Sequence, residues 1–194
     1  MERARAVVRL PAMHVFLDFE ASSLSDESYP IEVGWAAEDG ATESHLIRPA
    51  PGWLDWDPQA EALHGLSRAH LLSAGEPHEA VARRALEALS AHQVFVSSPS
   101  WDGKWMSVLR RAAGLPRHAL RLRASAEAQQ AAAAERLGGR VPRAELAARA
   151  AQVVERARAA ERAWPPQHRA LPDALAELEV WRTVGKLAAA ESRL

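Results

Sequence analysis

Apolar positions along the chain switch between the two-residue period of a strand and the wider spacing of a helix. Met13–Phe19 (MHVFLDF) is a short run of Val, Phe and Leu that ends in acidic and serine residues, and it predicts a strand. Ile31–Ala37 (IEVGWAA) predicts a second strand. After a turn at Glu38-Asp39-Gly40, Thr42–Arg48 (TESHLIR) returns as a third, by hairpin logic an antiparallel meander. Pro49–Pro58 is a loop carrying two tryptophans, and Gln59–Leu63 is a short helix stopped at Gly65. Pro77–Ser90 is an amphipathic helix with Val81, Leu86 and Leu89 inward, and Gln93–Ser97 (QVFVS) is a fourth strand. Asp102–Ala113 is a helix closed by Gly114 and Pro116, and His118–Arg123 supplies a fifth strand. The remainder is helical: Ala124–Leu137, capped by Gly138-Gly139; Pro142–Trp164, with proline suited to a first turn; and Pro172–Ala190 beyond the Pro165-Pro166 break. Strands followed by helices that alternate with strands predict an α/β fold with a mixed five-stranded sheet flanked by helices.

Composition narrows the chemistry. At 194 residues the chain fits one domain able to bury its own core. There is no cysteine, which excludes zinc–thiolate and iron–sulfur sites, thiol catalysis and disulfides, and which suits a reducing cytoplasm. No apolar run approaches the ~20 residues of a membrane span, so no membrane partner is expected. The net charge of −1 is uninformative, but its distribution is not. Residues 1–57 hold eleven Asp/Glu against four Arg, whereas residues 104–143 hold nine Lys/Arg against two Glu. A carboxylate-rich half beside a basic half suits a site that holds cations and a polyanion, although two solvated faces give the same count.

Three short patterns fall at element ends. Asp18-Phe19-Glu20 closes the first strand, and alternation puts both carboxylates on one side with Phe19 turned into the core. Two such carboxylates repel unless a cation lies between them, and hard ions such as Mg²⁺ take oxygen ligands. Asp102 follows the fourth strand and opens a helix, where the macrodipole alone would favour it. His168 and Asp173 stand in HRALPD, with Pro172 favouring the first helical turn, Asp173 in that turn and His168 on the loop before it. Each is ordinary alone; their conjunction and order are not.

Together they resemble the DEDDh exonuclease family, the group that includes polymerase proofreading subunits and oligoribonuclease. The first motif is similar to FLDFEASSL, the second to VSSPSWDGKWMSVLRRAAGLP and the third to HRALPDALA; Ala62–Ser67 (ALHGLS) resembles the family's histidine–glycine turn. The resemblance covers roughly Met13 to Glu179. It implies a ribonuclease H-like fold over residues 13–194, with 1–12 as an N-terminal extension and 124–164 as a helical insert longer than usual. It implies a 3′→5′ exonuclease that releases 5′-mononucleotides from DNA or RNA with a free 3′ end, using two Mg²⁺ or Mn²⁺ ions.

Carried over residue by residue, Asp18, Glu20 and Asp173 would ligate the ions, with Asp18 bridging, and Asp102 would hold one through water. Two ions about 4 Å apart clamp the attacking and leaving oxygens of an in-line displacement. His168 would take the proton of the attacking water, a role suited to a side chain whose ordinary pKa is near ~6.5. Ala21, Ser22 and Leu24 match the seat of the 3′-terminal nucleotide, Leu24 wedging against the base and Ser22 bonding the sugar. His64 would contact the substrate backbone or stabilise its own turn. Of the tryptophans, Trp101 and Trp105 bracket Asp102 and are the better candidates for base stacking, against the core role usual for large aromatics. Arg110, Arg111, Arg117, Arg121 and Arg123 would track phosphates or solubilise a helix face.

The chain departs from the family's pattern at Ala21–Leu24, at Ser97-Ser98-Pro99 before Asp102, and at Pro172. None of these removes a catalytic group. Two other readings stand beside the enzyme. One is a nucleic-acid-binding or assembly module that keeps the fold with little or no turnover. The other makes the long Ala/Arg helices an interface for a partner or a homodimer.

Overall fold

The computed structural model describes residues 12–116, 119–161 and 167–191. Three strands open the chain: β1 (His14–Ala21), β2 (Pro30–Ala37) and β3 (Thr42–Arg48), paired antiparallel as a meander. Two short helices follow, α1 (Pro58–His64) and α2 (Arg68–Ala74). Beyond them lie a two-residue strand β4 (Glu76–Pro77), helix α3 (His78–Leu89), strand β5 (Gln93–Val96) and helix α4 (Pro99–Ala112). Strand β6 (Leu122–Ala124) and helices α5 (Ser125–Leu137), α6 (Leu146–Glu161) and α7 (Ala170–Glu191) complete it. The sheet order is β4-β3-β2-β1-β5-β6, with β5 and β6 parallel to β1 and the meander antiparallel to it.

The mixed α/β sheet agrees with the expectation except in size. It has six strands rather than five, because Glu76 and Pro77 add a short edge pair to Ile47 and Arg48. The expected fifth strand is shorter and begins at Leu122; His118 lies outside the described residues. Helix α2, which sequence periodicity did not mark, starts where the Ser67 hydroxyl accepts the His70 N–H at 3.2 Å. Helix α6 begins at Leu146 instead of Pro142, because Pro142 accepts the Glu145 N–H in a turn first. Its expected end at Trp164 and most of the N-terminal extension also lie outside the described residues.

β1 runs through the middle, and its two faces meet different helices. Val15, Leu17 and Phe19 pack with Val33, Trp35, Val94 and Val96 beneath α3 and α4. Phe16, on the opposite face, packs with Ala36, Phe95, Ala128 of α5 and Leu178 of α7. Helices α5 and α6 clamp α7 through small side chains, among them Ala133, Ala150, Val153, Ala157, Val180, Val184 and Ala188. The alanine-rich α5 and α6 therefore pack on the last helix. No helix among the described residues is long and apolar enough to cross a membrane.

Candidate metal centre

Strand alternation sets the site. On the α7 face β1 presents Phe16, Asp18 and Glu20, and β2 presents Ala36, Gly34 and Glu32 opposite them. The missing side chain at Gly34 is what admits α7: a Cβ there would sit 2.4 Å from the Leu171 nitrogen and 2.6 Å from its Cα. The first turn of α7 thus rests on the strand beside Asp18 and delivers Asp173 to it. Pro172 is tolerated in that turn because the first N–H groups of a helix have no partner within it; the first helical bond runs from the Asp173 N–H to the Arg169 carbonyl at 3.1 Å.

The result is a group in which Asp18, Glu20 and Asp173, all half-buried, bring ligand oxygens within 4.8 Å of one another. Asp102, in the first turn of α4, is 1% exposed and stands behind them, its Oδ2 accepting the Ser98 N–H at 3.1 Å. Burial, then the charges of Asp102, Glu20 and Asp173, hold the Asp18 carboxyl well above the usual carboxylate range. Burial, then Asp173 and Glu32, push Glu20 up to about 8, with Arg169 opposing. Burial pushes Asp102 up to about 7, against the stabilising N–H groups of Ser98 and Phe19. Three oxygen donors that repel one another, with a fourth beside them, fit a hard divalent cation, which is the donor set of Mg²⁺ or Mn²⁺.

These shifts carry a stability consequence. A carboxyl whose folded pKa is raised stabilises the fold fully below its unfolded value and loses that contribution as pH rises through the folded one. Glu20 runs from 4.5 to about 8 and Asp102 from 3.8 to about 7. In EDTA the melting temperature therefore falls as pH is raised from about 4 to about 8, and saturating Mn²⁺ flattens the slope. Thermal denaturation followed by circular dichroism checks this, and equal slopes with and without the ion would contradict it.

Sequence reasoning missed Glu32, which looks like a stray charge in an apolar strand. It is 1% exposed and accepts both Arg169 guanidinium donors, at 2.9 and 2.6 Å, and the Ala170 N–H at 3.1 Å. Bidentate pairing of this kind fixes geometry as well as charge, so the start of α7 is bolted to β2. His168 precedes Arg169. It is half-buried, its backbone is left-handed (φ 49°), and no hydrogen bond among the described residues holds its ring.

His64 closes α1, where Gly65 takes the left-handed conformation (φ 70°) that ends the helix. The ring is 5% exposed and its Nδ1 accepts the Leu66 N–H at 3.0 Å. The neutral ring therefore carries its proton on Nε2, a buried atom with no partner among the described residues. Burial first, and the Arg169 and His168 charges with it, keep the His64 pKa low against Glu61 and Glu32.

A bulge between Glu20 and Ala21 shifts the ladder before the chain turns into the Ser22–Ser28 loop. Ser22, Ser23 and Ser25 donate to one carboxylate, Asp55, at 2.8, 2.6 and 2.8 Å. Ser22 is fully buried and its hydroxyl also accepts the Tyr29 N–H at 3.1 Å. Ala21 is buried, and Leu24 projects from the braced loop, 70% exposed.

Trp105 lies in the core, with its Nε1–H donating to Ser28 at 3.1 Å and its ring against the neighbouring aromatic. That neighbour is Trp101, half-buried, stacked on Trp105 at 5.6 Å with the Lys104 ammonium 5.1 Å from its ring.

No family model and no curated protein matches the sequence. Solved structures match it in fold. Apo exonuclease I superposes with a TM-score of 0.65 at 16% identity, over 91% of this chain and 42% of that one. A zinc-bound E. coli exonuclease I–single-stranded DNA complex gives 0.64 at 16% identity, over 95% and 41%. A third structure of exonuclease I, described in terms of its processivity, gives 0.61 at 17% identity, over 87% and 39%. The chain has the mixed α/β, ribonuclease H-like fold of these proteins and spans about two-fifths of their length.

Proposed function

We propose that this chain is a metal-dependent 3′→5′ exonuclease acting on DNA or RNA. The observation that carries the reading is the convergence of Asp18, Glu20 and Asp173 within 4.8 Å, from one strand and one helix far apart in sequence. Support comes from Asp102 buried alongside and from the likeness in fold to structures of exonuclease I, one of them solved with single-stranded DNA. Asp18, Glu20 and Asp173 would hold Mg²⁺ or Mn²⁺, with Asp102 in an outer position. Bound ions would supply Lewis-acid activation of the phosphodiester and of the attacking water.

The chain's own residues do the rest. Leu24, presented by the Asp55-braced loop, wedges against the terminal base. Ala21 and the Ser22 backbone form the floor of that seat, and Trp101 offers the aromatic surface nearest Asp102. His64, buried in the turn that closes α1, would stabilise that turn and offer its Nε2–H to an oxygen of the substrate backbone. His168 takes the proton from the attacking water.

End-labelled DNA and RNA oligonucleotides test this. With Mg²⁺ or Mn²⁺, a free 3′-hydroxyl strand is shortened stepwise to mononucleotides, and EDTA stops it. A 3′-phosphate or blocked 3′ end prevents digestion and a 5′ block does not. Cutting of a circular single strand overturns the 3′-end polarity. Tight binding of strands with no digestion in either metal overturns the enzyme and leaves a nucleic-acid-binding module.

A further inference from the structure

Glu177 lies four residues beyond Asp173 on α7, and residues at that spacing share a helix face. It lines the same cavity as Asp18 and Asp173, a space of about 500 Å³ whose other walls include Ser97 of the β5 end and Ala157 of α6. Its side chain is bracketed from both neighbouring helices. Gln129 of α5, wholly buried, donates its Nε2–H to Glu177 Oε2 at 3.0 Å and accepts the Arg158 Nε–H of α6 at 3.0 Å. The Arg158 guanidinium itself stands 3.9 Å from the same Glu177 oxygen. Both contacts fall on Oε2, and Oε1 takes no hydrogen bond among the described residues.

A plain tie between helices does not require a carboxylate here. A glutamine at 177 would offer Gln129 the same acceptor without adding another negative charge to a cavity already lined by Asp18, Asp173, Glu161 and Glu179. Glu177 lines the cavity beside Asp18 and Asp173, so its negative charge adds to theirs. The Arg158 guanidinium, 3.9 Å away, offsets this charge on one side only; a divalent cation among the carboxylates would offset it on the other. Partners behind the direct ligands orient a site and tune its hold on the ion.

We propose that Glu177 is a positioning residue of the metal centre, an outer carboxylate that strengthens divalent-ion binding at Asp18, Glu20 and Asp173 and couples that centre to α5 and α6 through Gln129 and Arg158. This rests on the metal-dependent reading above. It gives α5 and α6 a role at the site, since both bracket residues come from them.

Mn²⁺ titrated into the protein without substrate, with free ion read from its electron paramagnetic resonance signal, tests the proposal. Glu177→Gln, which keeps the shape and the acceptor, binds Mn²⁺ about 10-fold more weakly or worse, within the range usual for partners behind the ligands. Its nuclease activity is lost most at low Mg²⁺ and recovers as Mg²⁺ is raised, and its melting temperature in EDTA is not lowered. Gln129→Ala, which frees the carboxylate without deleting it, gives a smaller loss of affinity in the same direction. Unchanged Mn²⁺ affinity in folded Glu177→Gln overturns the proposal, as does a wild type that binds no Mn²⁺. A wild type that binds Mn²⁺ and digests nothing sinks the exonuclease reading and leaves the Glu177 result to stand on the titration.

Discussion

Asp18→Asn is expected to abolish nuclease activity while leaving the protein folded and, in EDTA, at least as stable as wild type. Both halves follow from the same feature. Asp18 is the central member of the carboxylate group, its charge opposed by Asp102, Glu20, Asp173 and Glu177 together. Removing the ligand forfeits ion-borne stabilisation of the transition state, worth several kcal/mol. Since each ~1.4 kcal/mol is a factor of ten, the loss is on the order of 10³-fold or more. Removing the charge relieves desolvation and repulsion that the metal-free fold must bear. The sign depends on pH: a raised carboxyl pKa penalises the fold only where the group is ionised, so the gain in melting temperature appears at the alkaline end and fades toward pH 4. Asp173→Asn follows the same activity pattern, its contribution delivered by α7. Wild-type turnover in Asp18→Asn sinks the site assignment. A large fall in its melting temperature in EDTA would show instead that the carboxylate holds the fold.

How far such a site can be read from sequence depends on whether each residue's partner is near it in the chain. The D-x-E pair was legible because a strand's two-residue period places Asp18 and Glu20 on one face, as found. Asp173 was legible because a proline marks an early helical position, although α7 starts two residues before Pro172. Glu32 was not, since its partner Arg169 is 137 residues away and period alone cannot say that a charged strand residue is buried. Gly34 reads as a weak spot in a strand until α7 is seen lying on it. Glu177 reads as one more acid on a helix, because its neighbours Gln129 and Arg158 belong to helices whose packing the alanine pattern left open. Ser22 and Trp105 show the same limit, since each has a distant partner, Asp55 or Ser28, that the local sequence does not announce.

His168→Ala is expected to retain Mn²⁺ binding and lose on the order of 10²- to 10⁴-fold in turnover, the usual contribution of a positioned general base. The backbone itself marks the residue. A side-chain-bearing residue in the left-handed region costs about 1–2 kcal/mol, and such strain persists only where the surroundings impose it. At φ 49° His168 is the one described residue other than glycine with positive φ. The imposing contact is next door, where Glu32 grips Arg169 and the Ala170 N–H. Strain beside a bidentate ion pair whose carboxylate is buried fits a ring that must be aimed. His168→Gly therefore separates aim from fold: it loses the same turnover as alanine, but melts no lower, because glycine meets no penalty at that φ. A His168→Ala protein with wild-type turnover would show that another group accepts the proton.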